Sequence, residues 1–254
     1  MEEDLETPLN DPAFWHQRYT QQIRWTESAR RYLFAKTRVK TSDHFLEVGC
    51  GTGALLGAMC ADGTHHLTGI DIDLPALSYA TQPKQAVCAD GLSLPFGKNT
   101  FDHSVCHFTL MWVNDPEKMV NDMVRVTKPG GWVFVLAESD YSNRISQPEE
   151  LVKLAGLQTA ALEKQGANTK MGLVLASLLP KCGLVNVISG KIGYTNTDNG
   201  QNAFSGDLRV LRNDLVQVLL ERELDFVLKE ALHAAKEKGA KWYVPIFYAC
   251  GQVS

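Results

Sequence analysis

The densest chemistry in this sequence sits in Phe45-Leu-Glu-Val-Gly-Cys-Gly-Thr-Gly53, a short apolar run that ends in three alternating glycines and passes straight into Ala54-Leu55-Leu56. Glycine at such a junction lets the backbone turn tightly and lets a ligand approach without a Cβ in the way. Amides close to a helix start then offer donors to an anionic or polar group. Gly49-x-Gly51-x-x-Ala54 also satisfies the dinucleotide fingerprint G-x-G-x-x-G/A, so the loop alone leaves its ligand open. Asp71 ends a second apolar run roughly 20 residues on, where an acid can accept hydrogen bonds from both hydroxyls of a ribose. That feature too fits more than one cofactor.

Residues of this kind need a sheet to hold them. From His44 onward short apolar runs alternate with helical patterns, the mark of stacked β-α-β units and a mostly parallel sheet. The expected strands are His44 to Gly49, His66 to Asp71, Gln85 to Asp90, Phe101 to His107, Trp132 to Glu138, Leu184 to Tyr194 and Trp242 to Gln252. Asp73 can cap a helix through Ala80, and Asp115 with Pro116 opens one through Val126, before Pro129-Gly130-Gly131 breaks the chain. Further helical regions are expected from Pro148 to Cys182-Gly183 and from about Asp207 to Lys238. Asp11 to Lys36 reads as an N-terminal helix whose aromatic load (Phe14, Trp15, Tyr19, Trp25, Tyr32, Phe34) exceeds one buried stripe. It either covers a site or packs on a sheet face.

Composition narrows the partners. A length of 254 residues, 44% hydrophobic and 21% charged, suits a soluble globular protein with a sizeable core. The net charge of -4 gives no pull toward polyanions, so nucleic acid is not expected as a partner. Met1 to Asp4 carries acids where a signal peptide carries basic residues, and no apolar run approaches the roughly 20 residues that cross a bilayer. A cytoplasmic address without membrane attachment is the expectation. The six cysteines, at 50, 60, 88, 106, 182 and 250, stand singly, which points to reduced thiols and no metal.

What separates the possible cofactors is the ensemble. The sequence resembles the class I S-adenosylmethionine-dependent methyltransferases of the small-molecule type, on Glu47 to Gly53, Gly69-Ile-Asp71-Ile-Asp73, Ala89-Asp90-Gly-Leu-Ser-Leu-Pro-Phe96, Phe101-Asp102 and Arg125-Val-Thr-Lys-Pro-Gly-Gly131. The resemblance covers roughly His44 to Glu138. It implies an α/β, Rossmann-like seven-stranded mostly parallel sheet with an antiparallel last strand, helices on both faces, an N-terminal helical lid and helical insertions. Pro245 then belongs near the start of the last strand, since proline keeps to strand starts, edges and bulges. One methyltransferase domain over 1–254 is expected, with a lid at 1–40, a cofactor-binding half at 41–139, substrate-side helices and the sixth strand at 140–241, and the last strand at 242–254.

Carried over to this chain, the resemblance makes Gly49, Cys50 and Gly51 a platform for the methionine part of S-adenosyl-L-methionine, with Glu47 facing the ammonium side. Asp71 would grip the ribose and Ile72 would pack on the adenine. Asp90 would accept from the adenine amino group, and the amide of Gly91 or Leu92 would reach a ring nitrogen. His107 would line the floor beneath the sulfonium. Tyr19 and Trp25 are expected in the lid, with Trp15 and Arg30 behind them. Plainer readings stand beside these: Asp90 as a turn acid, Asp73 as a helix cap, His107 as a satisfied histidine, and His65-His66 as solvated loop.

Methyl transfer from a sulfonium is an in-line displacement, so alignment and exclusion of water matter more than covalent catalysis. The expected product is S-adenosyl-L-homocysteine, and the acceptor a small molecule with an oxygen, nitrogen or carbon nucleophile. If a base is used, His107 is the first candidate, with Glu138, Asp140, His16 and Tyr19 after it. Acceptor identity should reside in about Tyr141 to Lys181 and Asn196 to Lys241. A nucleic-acid methyltransferase lacks support, since His107-Phe-Thr-Leu stands where an Asp-Pro-Pro-Tyr or Asn-Pro-Pro-Tyr run would. A nicotinamide-dependent oxidoreductase would leave Asp90 to Phe96 unexplained. A cofactor-binding protein without catalysis is the remaining alternative.

Overall fold

The Asp11 carboxylate accepts the amide of Ala13 and Pro12 follows it, so α1 (Pro12–Thr37) starts where a side-chain cap and a proline coincide. This is a computed structural model that describes residues 11–79, 86–192 and 200–254. Met1 to Asp4, Ala80, Gln85, Tyr194 and Asn196, all named in the expectations above, lie outside the described residues.

Two compact units emerge, and each has its own core. The sheet unit comprises the described residues of Asn10–Glu138, with Met171–Ile192 and Ile246–Ser254. In it β1 (Phe45–Val48) leads through the glycine loop to α2 (Ala54–Ala61), and β2 (Leu67–Asp71) leads to α3 (Leu74–Tyr79) and β3 (Ala86–Cys88). Then come β4 (Phe101–Cys106), α4 (Pro116–Val126) and β5 (Thr127–Ser139). The helical unit includes Ser139–Lys170 and the described part of Gly193–Pro245. It holds the short β6 (Ile145–Gln147) and α5 (Glu149–Lys164). The sheet unit resumes with α6 (Met171–Lys181) and β7 (Val185–Lys191). α7 (Gly200–Leu215), α8 (Glu221–Lys238) and β8 (Lys241–Tyr243) return to the helical unit, and β9 (Ile246–Gln252) closes the sheet.

The seven strands run in the order β3-β2-β1-β4-β5-β9-β7. β1 pairs in parallel with both β2 and β4, β2 with β3, and β4 with β5, whereas β9 runs antiparallel to β7. This is the expected mostly parallel sheet with an antiparallel last strand. Burial on both faces explains the continuous apolar run from Val133 to Ala137 in the central β5. Phe45, Leu56, Met59, Val105 and Phe134 lie at the centre of that core, and truncating a buried phenylalanine of this kind costs about 3–5 kcal/mol.

The apolar stretch from Trp242 is two strands rather than one. β8 pairs antiparallel with β6 in a separate two-stranded sheet, and β9 begins at Ile246 directly after Pro245. Proline lacks the amide a central strand needs, so it marks the break. β5 begins five residues before Trp132, with a register shift against β4 between Phe101 and His103. There His103 Nδ1 accepts the Trp132 amide at 3.1 Å, and its Nε2 donates to Asp43 Oδ2 at 3.1 Å. The helical unit packs Leu151, Leu154, Phe204, Leu211, Leu224 and Trp242 into its own core. Its surface carries an open groove of about 400 Å³ along α5, lined by Arg144, Ser146, Val152, Gly156 and Thr159 among others.

Candidate cofactor site

The strands β1, β2 and β4 all deliver their carboxyl ends to one edge of the sheet, where open α/β folds bind ligands. After Val48 the chain enters the left-handed region at Gly49 (φ 77°) and Gly51 (φ 50°), which an L side chain adopts only with strain. The amides of Gly49 and Cys50 both donate to the Ile70 carbonyl at 2.9 Å, fixing the elbow to β2. The Cys50 side chain turns away into the sheet, against Gly69, where burial pushes its thiol up. With its thiol turned inward, its amide on Ile70 and its carbonyl accepting the Gly53 amide at 2.8 Å, Cys50 shapes the elbow rather than donating to a ligand.

The Gly51 amide donates to Asp71 Oδ2 at 2.6 Å, and the amide of Asp73 donates to Oδ1 at 2.9 Å. Each carboxylate oxygen keeps further lone-pair capacity. Ile72 beside it is 73% exposed, an apolar side chain with no core to fill. Asp73 acts as expected of a cap, its Oδ1 accepting the Ala76 amide at 3.1 Å.

Glu47 sits in register with Gly69 and Val105 and is 2% exposed. The Leu56 amide bonds its carboxylate, yet burial and the Asp71 charge hold its pKa well above the usual carboxylate range. Among the described residues its Oε2 has no hydrogen-bond partner. A buried acceptor left open in this way is costly unless a donor or cation completes it.

Helix α1 lies against the elbow. His16, Tyr19, Ile23, Thr26, Arg30 and Leu33 recur at helical spacing and form its inner stripe. His16 Nδ1 lies 3.0 Å from Thr52 Oγ1, and a Cβ built on Gly51 would fall 3.3 Å from the Tyr19 ring and 4.0 Å from Asp71 Oδ2. Tyr19, Gly51 and Asp71 are thus brought together. The Tyr19 hydroxyl is pushed up to about 12, first by burial and then by the charges of Asp71 and Asp73. Trp15 stacks behind it with ring centroids 5.9 Å apart. Trp25 is different: one position off the stripe, it is 40% exposed beneath the Arg18 guanidinium. Arg30 is buried in an ion pair with Asp62 at 2.6 Å, so it fastens α1 to the end of α2.

The second half of the cleft is the loop after β3. Asp90 is exposed and closes a turn, its Oδ1 accepting the Leu92 amide at 2.8 Å. Of the amides expected to reach a ring nitrogen, Leu92's is therefore engaged, which leaves that part to Gly91. A clamp absent from the expectations holds this loop. Arg125 donates to the carbonyls of Phe96 (2.7 Å) and Leu94 (2.9 Å) and pairs with Asp122, whose Oδ2 accepts the Leu94 amide at 2.6 Å. Asp102, in the Phe101-Asp102 motif, joins the starts of two strands by accepting the His44 amide and the Lys128 ammonium.

His107 follows β4, but its ring turns toward α1, with Nε2 2.9 Å from Thr26 Oγ1. That hydroxyl faces the Gln22 and Ile23 carbonyls as donor, so the histidine nitrogen donates to it. Burial, then the nearby Arg30 charge, pushes the imidazole down to about 3. Such a ring is neutral at pH 7 and a weak base. The other acids near strand ends are also engaged: Glu138 accepts the amides of Thr109, Leu110 and Met111, and Asp140 caps the turn Tyr141–Asn143 through Ser142 and Asn143. What this edge of the sheet offers a ligand is an elbow free of side chains, carboxylate acceptors and an exposed apolar side chain.

Residues 46–135 match the model of a methyltransferase domain family. The demethylmenaquinone methyltransferase of Paenarthrobacter aurescens is 33% identical over 113 residues, 43% of this chain and 44% of that protein. The chain therefore spans less than half the length of that curated relative. Among solved structures, the Haemonchus contortus phosphoethanolamine N-methyltransferase 2, in complex with phosphomonomethylethanolamine and S-adenosylhomocysteine, aligns with a TM-score of 0.56 at 15% identity, covering 85% of this chain and 50% of that one. The fold is that of the class I methyltransferases. The same Rossmann-like methyltransferase fold is found in the [4+2]-cyclase SpnF, at a TM-score of 0.56 and 16% identity over 90% of this chain and 80% of that one.

Proposed function

We propose that this chain is an S-adenosylmethionine-dependent methyltransferase acting on a small-molecule acceptor. The observation that carries the reading is the convergence of the glycine elbow, the Asp71 carboxylate and the buried, half-partnered Glu47 on one edge of the sheet. These residues fit the cofactor. The open Oε2 of Glu47 suits the ammonium of a methionine moiety, the elbow admits its backbone-like end, and Asp71 retains lone pairs for ribose hydroxyls. Ile72 offers its exposed apolar face to the adenine, with Asp90 and the Gly91 amide at the ring edge. Tyr19 covers the elbow from α1, and Trp15 backs it.

When bound, the cofactor supplies an electrophilic methyl carbon on a positively charged sulfur and leaves as S-adenosylhomocysteine. The chain's own part is alignment and dryness: Tyr19, Gly51 and Asp71 fix one end, and the loop after β4 fixes the floor. Because His107 is neutral with its Nε2 occupied, the floor contributes shape and backbone rather than proton transfer. The division of labour follows the boundaries set out above: lid 1–40, cofactor half 41–139, substrate-side segment 140–241, last strand 242–254.

The curated relatives named for demethylmenaquinone match 37–44% of this chain. With less than half of this chain matched, the acceptor is carried over as a class, a small and partly apolar molecule, and no further. Among the described residues no helix is long and apolar enough to cross a membrane. Thermal shift with S-adenosylmethionine, S-adenosylhomocysteine and nicotinamide dinucleotides tests the cofactor, since a ligand of the native state raises apparent stability by its affinity. Stabilisation by the first two is expected; stabilisation by dinucleotides alone overturns the proposal. Formation of S-adenosylhomocysteine with a small-molecule extract then separates an enzyme from a non-catalytic binder.

A further inference from the structure

Glu138 is a fully buried acid with no place in the chemistry described so far. At 0% exposure near the end of β5, its Oε1 accepts the amides of Thr109 (2.9 Å) and Leu110 (2.7 Å), and its Oε2 that of Met111 (3.1 Å). Gathering three consecutive amides on one carboxylate forces the chain after β4 into a tight turn, Leu110–Trp112. Phe108, just before it, takes φ 54°, a left-handed conformation uncommon for a residue with a side chain. Thr109 is thereby held against the glycine elbow. A Cβ on Gly49 would fall 2.4 Å from Thr109 Cγ2 and 2.6 Å from its Oγ1, while that Oγ1 faces the carbonyls of His107 (3.2 Å) and Val48 (3.4 Å).

We propose that Glu138 is a positioning residue of the cofactor cleft, which acts through Thr109 to set the geometry of the elbow Gly49–Gly51. The idea rests on reading this cleft as a cofactor site. A role as general base does not fit, because both oxygens are turned to backbone amides and sealed from solvent. The choice of residue type fits positioning: only a carboxylate accepts on both oxygens, whereas a glutamine would turn its amide donor toward one of the three N–H groups. Burial raises the Glu138 pKa, and the three amide bonds, each favouring the charged form, act against that rise.

The test uses the full chain and the variants Glu138→Gln, Thr109→Ala and the double variant, with two readouts. The first is amide hydrogen exchange of the ligand-free protein at Gly49–Gly51 and at Thr109–Met111. The second is S-adenosylhomocysteine affinity by titration calorimetry. Glu138→Gln should quicken exchange in both segments and weaken affinity about tenfold, the loss expected for one charge-assisted hydrogen bond. In the Thr109→Ala background the same change should cost less than about twofold in affinity and leave elbow exchange where Thr109→Ala has put it. Faster exchange confined to Thr109–Met111, with affinity unchanged, makes Glu138 a local cap and overturns the proposal. If Glu138→Gln does not fold, Thr109→Ala decides: unchanged exchange at Gly49–Gly51 sinks the idea. If the unaltered protein binds no S-adenosylhomocysteine, the cofactor reading falls by itself, and exchange at the elbow still settles the link from Glu138.

Discussion

Replacing Gly49 by alanine separates two costs that the structure superimposes. The residue sits at φ 77°, where an alanine pays about 1–2 kcal/mol for its left-handed backbone. Its new Cβ would also lie 2.4 Å from Thr109 Cγ2, closer than real contacts allow, and overpacking of this kind adds about 1–3 kcal/mol. Gly49→Ala should therefore destabilise the protein by about 2–5 kcal/mol. In a Thr109→Ala background the nearest atom left is Thr109 Cβ at 3.1 Å, so the steric part mostly vanishes and about 1–2 kcal/mol remains. Gly51→Ala is the control, since its Cβ would meet Tyr19 Cε2 at 3.3 Å and bears mainly the backbone cost. Urea unfolding of the four proteins of the cycle, followed by circular dichroism, gives the coupling from shifts in midpoint at constant slope. Equal costs of Gly49→Ala in both backgrounds would show that Thr109 does not constrain the elbow, and the reasoning would be wrong.

Four further outcomes are expected. Ile72→Asp should leave thermal stability nearly unchanged, because the side chain is 73% exposed, yet weaken S-adenosylhomocysteine binding in a calorimetric titration. Arg125→Ala removes donors to the Leu94 and Phe96 carbonyls and should weaken that binding about tenfold by loosening the loop that carries Asp90, checked by the same titration. Asp71→Asn should lower the Tyr19 pKa from about 12, since the Asp71 charge is one cause of the rise; the difference between tyrosinate titrations with and without Tyr19→Phe reads it. His107, depressed from 6.5 to about 3, binds a proton in the unfolded chain before it does in the folded one. Its contribution to stability is present above pH 6.5 and is lost as pH falls toward 3, so His107→Gln should flatten the acid limb of stability against pH by up to one proton.

The sheet was readable because a parallel strand covered on both faces is largely apolar, and the connections between such strands are helices. α4 opens at Pro116 as expected, for Asp115 and Pro116 carry their signal locally. Longer-range causes were hidden. The helical stretch from Pro148 breaks after Lys164, where Gly166 takes φ 91° and returns the chain, a stop marked in the sequence by a single glycine. The break between α7 and α8 has no such mark in Val216-Gln-Val-Leu-Leu220; α8 starts because Glu223 reaches back to the Leu220 amide at 3.1 Å. In the site, the stripe His16, Tyr19, Ile23, Thr26, Arg30 follows from helical spacing and selects Tyr19 over Trp25. Thr109 against Gly49, and Glu138 on the turn after β4, join residues that only the sheet brings together.

The acids at the strand ends show why residue type alone overstates catalysis. Glu47, Asp71 and Glu138 would each pass as a base in a list of candidates, but a buried carboxylate must first be satisfied. Glu138 is satisfied by three amides, so it holds a loop and has nothing left to give. Asp71 accepts one amide on each oxygen, from Gly51 and Asp73, and keeps lone-pair capacity on both. Glu47 alone retains an oxygen with no partner among the described residues, in surroundings that favour its neutral form. A cationic group beside that oxygen would draw the carboxylate back to its charged form, so binding of a ligand with a positive amine should release a proton from Glu47. Calorimetry of S-adenosylhomocysteine binding in buffers of different ionisation enthalpy measures that proton, and Glu47→Gln should abolish its release; binding without proton release at neutral pH would mean that Glu47 is already charged and that its open oxygen is not waiting for a cation.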